Sequence, residues 1–303
     1  MTISSFFQQI KSKAARKQPA QLEAPTLECV ALLPHGPFRF QTQVPEEFEY
    51  EIEATTNLKT WASIFSSRSN GKIDFADPDA PKFRHRFYRL NLKGEYSRDI
   101  IGYATVTVPP GFSLIANPLS GVDESVAELF KGMPDGTGLS KFDNRLHRLT
   151  QNALEAGKWT NPTETLGLGE GALLFNPTSE YKKLRFAGRV CQSGFSTLIP
   201  AGFSMQSSVQ PQPGRLDTEL GFPIGDGDVI HLLDTDTQKY VLYPYEGSAW
   251  KCEAPVLGVG EAFWVEKKAP SNWHQQSSIP KATSWIGMTD DETKQAPGRK
   301  NHQ

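Results

Sequence analysis

Cysteine is nearly missing from this chain of 303 residues: Cys29, Cys191 and Cys252 lie far apart and form no CxxC pair. That excludes a dense disulfide framework and a cysteine-ligated zinc site, and leaves room for at most one bond between two of the three. Long apolar runs are also lacking. No stretch of about 18 apolar residues could cross a bilayer as a helix, and the start has no apolar signal core of about 7 to 15 residues. The expectation is a chain with no transmembrane segment that stays in the cytoplasm; the alternative is export or surface association without a cleavable signal. Charge of one sign is lacking too, with 32 Lys and Arg against 34 Asp and Glu. No net field would recruit nucleic acid, so none is expected as a partner.

Catalytic signatures are equally scarce. His35, His85, His147, His231, His274 and His302 are scattered without HxH or HExxH spacing. Neither a GxSxG elbow nor an SxxK pair is present, and no two acids are placed for glycoside hydrolysis. No catalytic residue and no cofactor is therefore assigned, and an enzyme is not expected. The one metal candidate is "IGDGDVIHLLDTDT", where Asp226, Asp228, Asp234 and Asp236 could offer oxygens to calcium. Their spacing is not that of an EF-hand loop, and two polar turns around an apolar strand explain the same residues. "LGLGEGALLF", residues 166–175, resembles a phosphate-binding turn at first sight. A strand rather than a helix follows it, which removes the βαβ setting such a turn needs.

What the chain does have is glycine (25), proline (22) and 11% aromatic residues, the profile of many short strands joined by turns. Over residues 26–97, six segments read as strands: "LECVALLP", "FRFQTQV", "EYEIEATTN", "WASIFSS", "KIDFAD" and "RHRFYRLNL". In the third, Tyr50, Ile52 and Ala54 alternate with Glu49, Glu51 and Glu53, one face apolar and the other wet. Trp61 is expected to fill the middle of the core. Thr56-Asn57-Leu58, then Trp61, then Phe87-Tyr88-Arg89 resemble a fibronectin type III-like module of the kind found in bacterial surface and secreted proteins. The resemblance implies an immunoglobulin-like β-sandwich serving as a spacer or binding unit.

Sliding the sequence against itself gives the strongest signal. Pro109-Pro-Gly-Phe-Ser113 meets Pro200-Ala-Gly-Phe-Ser204, Asp135-Gly136 meets Asp226-Gly227, Asp143 meets Asp234, Trp159 meets Trp250, and Leu166-Gly-x-Gly-Glu170 meets Leu257-Gly-x-Gly-Glu261. Every pair is 91 residues apart, and residues 102–176 against 193–267 share 15 identities in 75 ungapped positions. Random pairing would give about 5. The chain thus carries two tandem copies of a second β-rich domain, at 98–188 and 189–274, with a short helical stretch near Val122, Val126 and Leu129 in the first. "VPPGFSLIANPL", "IPAGFSMQSS", "RLDTELGFPIGDGD" and "VGEAFWVEKKAPSNW" resemble a β-rich repeat of poorly characterised, modular bacterial proteins, a resemblance that implies no activity.

The ends complete the expected organisation, which is all-β apart from them. Residues 1–25 combine an amphipathic helix with a linker, Phe6, Phe7 and Ile10 on its apolar side and Lys11 and Lys13 among its positive charges. Residues 275–303 read as a flexible polar tail whose one apolar island contains Trp285. Protein partners are expected at both ends, as in a non-catalytic structural or adaptor protein. Carbohydrate binding and adhesion form the alternative, with Tyr243 and Tyr245 in "YVLYPY" as a flat platform; a hydrolase ranks below both.

Overall fold

The computed structural model describes residues 21–22, 24–32, 36–275 and 285–286, and strands dominate them. The expected helix, with Phe6, Phe7, Ile10, Lys11 and Lys13, lies outside the described residues. Helical structure within them is confined to single turns at Ala80–Lys82 and Val126–Leu129, the latter capped by Ser125, whose side chain accepts from Glu128 N–H.

The N-terminal part differs from six short strands. Two expected pairs fuse, giving strands Phe38–Thr55 and Ala62–Asp77 that run antiparallel as one long hairpin. The reason lies in the two turn signals, Pro45-Glu46-Glu47 and Ser69-Asn70-Gly71, which face each other across the pair. Each is absorbed as an irregularity, with register shifts between Gln43 and Glu49 and positive φ at Glu47 and Gly71. The shifts bend the hairpin, so both its halves contribute to one core containing Phe38, Phe40, Ile52, Tyr88 and Leu90. Trp61 is not central there. It packs at the rim against Leu58, Phe87, Ile100, Leu119 and Val190, and the Arg89 guanidinium lies 4.2 Å from its ring centre.

The expected boundary at 97/98 is crossed by hydrogen bonds. Strand Ile101–Val108 pairs with His85–Leu92 on one side and Lys182–Arg189 on the other, so all three join the sheet that also holds Phe38–Thr55 and Glu28–Leu32. Ile101 and Tyr103 face the N-terminal core, whereas Val106 and Val108, with Leu184 and Phe186, face the core of the first copy. The strand is a wall shared by two cores. Gly102 allows this: a Cβ there would sit 2.3 Å from the Arg86 carbonyl oxygen.

The two copies have one topology. In the first, the sheet runs through Lys158–Trp159, Asn152–Glu155, Gly138–Ser140, Ala172–Asn176 and Gly111–Ile115; in the second, through Ala249–Trp250, Lys239–Glu246, Val229–Asp234, Ala262–Lys267 and Gly202–Ser207. The register repeats as well. Asn176 faces Gly111 and Lys267 faces Gly202; Leu174 faces Leu139 and Val265 faces Ile230; Leu154 faces Trp159 and Tyr245 faces Trp250. Each partner is displaced by the 91 residues of the sequence repeat. The wall strand has a counterpart too, Phe195–Ile199 paired with Ser271–Gln275, but this ribbon backs onto one core only and leaves Leu198 exposed. Among the described residues of the tail, Trp285–Ile286 forms an antiparallel pair with Gln21–Leu22, which ties the two ends together.

Candidate functional site

The copies meet about a local twofold relation, visible in reciprocal contacts. Ala116 N–H donates to the Gly260 carbonyl at 2.9 Å, and its counterpart Ser207 N–H donates to the Gly169 carbonyl at 3.2 Å. Leu114, Ala116, Met205 and Ala262 form the buried contact, flanked by Phe142, Leu173, Leu233 and Trp264. Such reciprocity is the mark of an isologous interface, here built within one chain.

The Gly-x-Gly-Glu turns belong to this interface. Glu170 Oε2 accepts from Gly167 N–H at 2.9 Å, and Glu261 Oε2 accepts from Gly258 N–H at 2.8 Å. With Gly169 and Gly260 at φ 81° and 77°, each glutamate locks a tight turn whose carbonyl then bonds the other copy. The glycine motif is thus an element of architecture.

Side chains break the twofold most visibly around one opening. A cavity of about 620 Å³ opens between the copies and is lined by the rings of Phe142, His147, Phe203, His231, Tyr240 and Trp264, with Gly202 at its edge. Phe142 and Trp264 meet edge to face at 4.9 Å, and the Phe203 and His231 rings lie 5.5 Å apart. Phe203 and Tyr240 remain 44% and 42% exposed, a large apolar surface left open by a folded chain. Burial holds the His231 imidazole below its usual pKa, Glu266 opposing weakly, and its Nε2 is buried without a hydrogen-bond partner. The opening is therefore walled by flat apolar rings, and one polar atom of its lining residues is buried without a partner. A second cavity, about 450 Å³ along the long hairpin, is lined by Glu49, Glu51, Arg68 and Lys93; its Glu49 and Arg68 pair across the strands at 3.4 Å.

Sequence reasoning did not bring these six rings together, because they come from both copies. The signal lay in mismatches under the repeat: Leu173, Leu149 and Ser140 of the first copy correspond to Trp264, Tyr240 and His231 of the second. Three small or aliphatic positions became rings that converge on one opening.

The aspartates offered to calcium act separately. Asp226 Oδ1 accepts from Ser248 N–H at 3.2 Å, as Asp135 accepts from Gly157 N–H at 2.7 Å. Asp234 Oδ1 accepts from Asp236 and Thr237 N–H, as Asp143 does from Arg145 and Leu146, which holds both carboxyls below the usual carboxylate range. Asp228 is buried against Lys267 Nζ, and Asp236 follows Asp234 in its turn, its N–H donating to Asp234 Oδ1 at 2.9 Å. Among the described residues no group of three or more His, Cys, Asp or Glu could hold a metal ion.

Tyr243 packs against the core of the second copy, and Tyr245 stands edge to face with Trp250 at 5.2 Å, whose Nε1–H donates to Asp217. Neither lines the aromatic cavity. Trp285 lies in the short strand paired with residues 21–22. Cys191 and Cys252 are free thiols. No described helix is long and apolar enough to cross a membrane. No protein-family model, curated protein or solved structure matches the chain.

Proposed function

We propose that the protein is a non-catalytic binding component of a larger assembly, and that it holds a protein partner by seating an apolar side chain in the aromatic cavity between its two copies. The observation that carries this reading is the set of six rings around one opening, with Phe203 and Tyr240 left solvent-accessible. Aromatic anchors in pockets supply most of the energy of protein interfaces, and the rigid rings lose little entropy on contact. A sugar site would need carboxylates or amides beside the rings to bind hydroxyls. The lining carries the His147 and His231 imidazoles, the Tyr240 hydroxyl, the Trp264 indole N–H and main-chain groups but no carboxylate or side-chain amide, and Tyr243 and Tyr245 are turned to other contacts. The N-terminal sheet would serve as the support on which the first copy is built.

A photo-crosslinking amino acid at position 240 should trap a discrete partner in the source cell, and the same band should vanish when Phe203→Ala is added. The same group at Phe65, 42% exposed like Tyr240 and on strand Ala62–Asp77 of the N-terminal hairpin, is the control. A band trapped from position 65 but not from 240, or one indifferent to Phe203→Ala, would refute the reading.

A further inference from the structure

One half of the local twofold already contains a bound carboxamide. Gln238, at the tip of the second copy's hairpin with φ 56°, reaches across to the edge strand Gly111–Ile115 of the first copy. Its Oε1 accepts from Phe112 N–H at 2.7 Å, and its Nε2 donates to the Phe112 carbonyl at 3.1 Å. The amide lies directly over Gly111, where a Cβ would come within 2.6 Å of Oε1. A main-chain donor and acceptor on one residue are thus matched by the fork of a primary amide.

The other half repeats the strand but not the amide. Phe203 is the counterpart of Phe112, and Gly202, at φ 84° like Gly111, is the counterpart of Gly111. In both edge strands alternate residues turn their N–H and C=O away from the sheet. Ala116 and Ser207 do so in the two reciprocal bonds, so Phe112 and Phe203, four residues earlier, face the same outward direction. At position 147 the second half has His147 at φ 49° in place of glutamine, and its ring packs beside Phe142 at 6.3 Å. Around the point where a Gly202 Cβ would stand there is open space to 4 Å, and the aromatic cavity begins there.

We infer that the cavity recognises a primary carboxamide carried next to an apolar group, in the way that Phe112 holds Gln238, with the amide on the N–H and C=O of Phe203 and the apolar group between the rings. The source is a glutamine side chain presented by a partner polypeptide. This deepens the binding role proposed above and rests on it. The apolar group gains contact area with Trp264, Phe142 and Tyr240, whereas the amide gains two directional bonds that reject groups lacking either N–H or C=O. In the first half the repeat puts Leu233, Leu149 and Leu173 at the positions of Phe142, Tyr240 and Trp264, and the seat is filled by the chain's own Gln238.

Ligand-observed NMR on the full chain tests this with benzamide against N,N-dimethylbenzamide, and with acetyl-phenylalanyl-glutamine N-methylamide against its glutamate analogue. Benzamide and the glutamine peptide should each bind at least about tenfold more tightly than their counterparts. His147→Gln should fill the site from within, as Gln238 does across the axis, and abolish binding. His147→Ala keeps the site open and should bind at least about tenfold more tightly than His147→Gln, which separates occlusion from loss of the imidazole. Equal binding of amide and dimethylamide, or unchanged binding in His147→Gln, overturns the inference while leaving the crosslinking result from position 240 untouched. Binding of benzamide without discrimination between the two peptides overturns the assignment to a partner's glutamine.

Discussion

Asp228 and Lys267 show how a position can keep its place and change its chemistry. Their counterparts in the first copy are Thr137 and Asn176, both buried and neutral. In the second copy the pair is ionic, with Asp228 2% and Lys267 5% exposed. The surroundings complete it: Gly225 and Lys268 N–H donate to the carboxylate at 2.7 and 2.8 Å, and Lys267 Nζ donates to the Pro223 carbonyl at 2.6 Å. Removing one charge strands the other in a buried site, which costs about 3 to 5 kcal/mol, whereas removing both leaves no uncompensated charge. Asp228→Ala should therefore lower the urea unfolding free energy by about that amount, and Asp228→Ala with Lys267→Met should recover most of it. Equal losses in the single and double variants would mean that the cost arises from packing. Sequence could mark Asp228 only as one acid among four. What separates it from Asp226 and Asp234, which cap turns, is a lysine 39 residues away that no local pattern announces.

Between elements, the local twofold is held by very close approach. Gly171 and Ala262 are counterparts that meet across the interface, and a Cβ on Gly171 would come within 2.7 Å of both the Ala262 Cβ and Met205 Cγ. Only one methyl fits where two edge turns converge. Gly171→Ala should destabilise the protein by about 1 to 3 kcal/mol through overpacking. Adding Ala262→Gly moves the single methyl to the other copy and should return much of that loss, a coupling that a double-mutant cycle in denaturant reads directly. Additive effects would show that the two positions do not share the space. At this scale much was legible: the 91-residue repeat marks two β-rich copies, and the strand pairings recur at that same spacing, as Leu154 with Trp159 and Tyr245 with Trp250, though their order and register are not written in it. It could not foretell the contact between copies, because Gly171 and Ala262 differ and carry no repeat signal. The long hairpin was misjudged for a different physical reason. Pro45 and Gly71 are turn formers in isolation, yet placed opposite each other they become bulges in a strand pair that tertiary packing continues through.

Across the whole molecule, strand Ile101–Val108 decides what can fold independently. Alternating apolar residues identify it as a strand but do not say to which sheet it belongs, and the spacing of the repeat assigns it to the first copy alone. Its hydrogen bonds go to both sides: His85 to Tyr88 pair with Ala104 to Ile101, and Lys182 to Arg189 pair along its full length. Cutting the chain after residue 97 would remove Ile101, Tyr103 and Ala187 from the N-terminal core and expose Phe87 and Tyr88 on a new sheet edge. An edge of that kind leaves unpaired N–H and C=O groups beside bare aromatic surface, and the fragment has too little core left to offset the entropy of ordering it. Residues 1–97 alone should show no cooperative urea transition by circular dichroism, whereas residues 1–190, which retain the shared wall and both cores on it, should unfold cooperatively. The second fragment should do so at a lower urea midpoint than the full chain, since Leu114, Leu173 and Phe142 would face water in place of the second copy. A sharp transition in residues 1–97 would show that the N-terminal sheet is complete without the wall, and that the pairing of Tyr88 with Ile101 joins two independent domains.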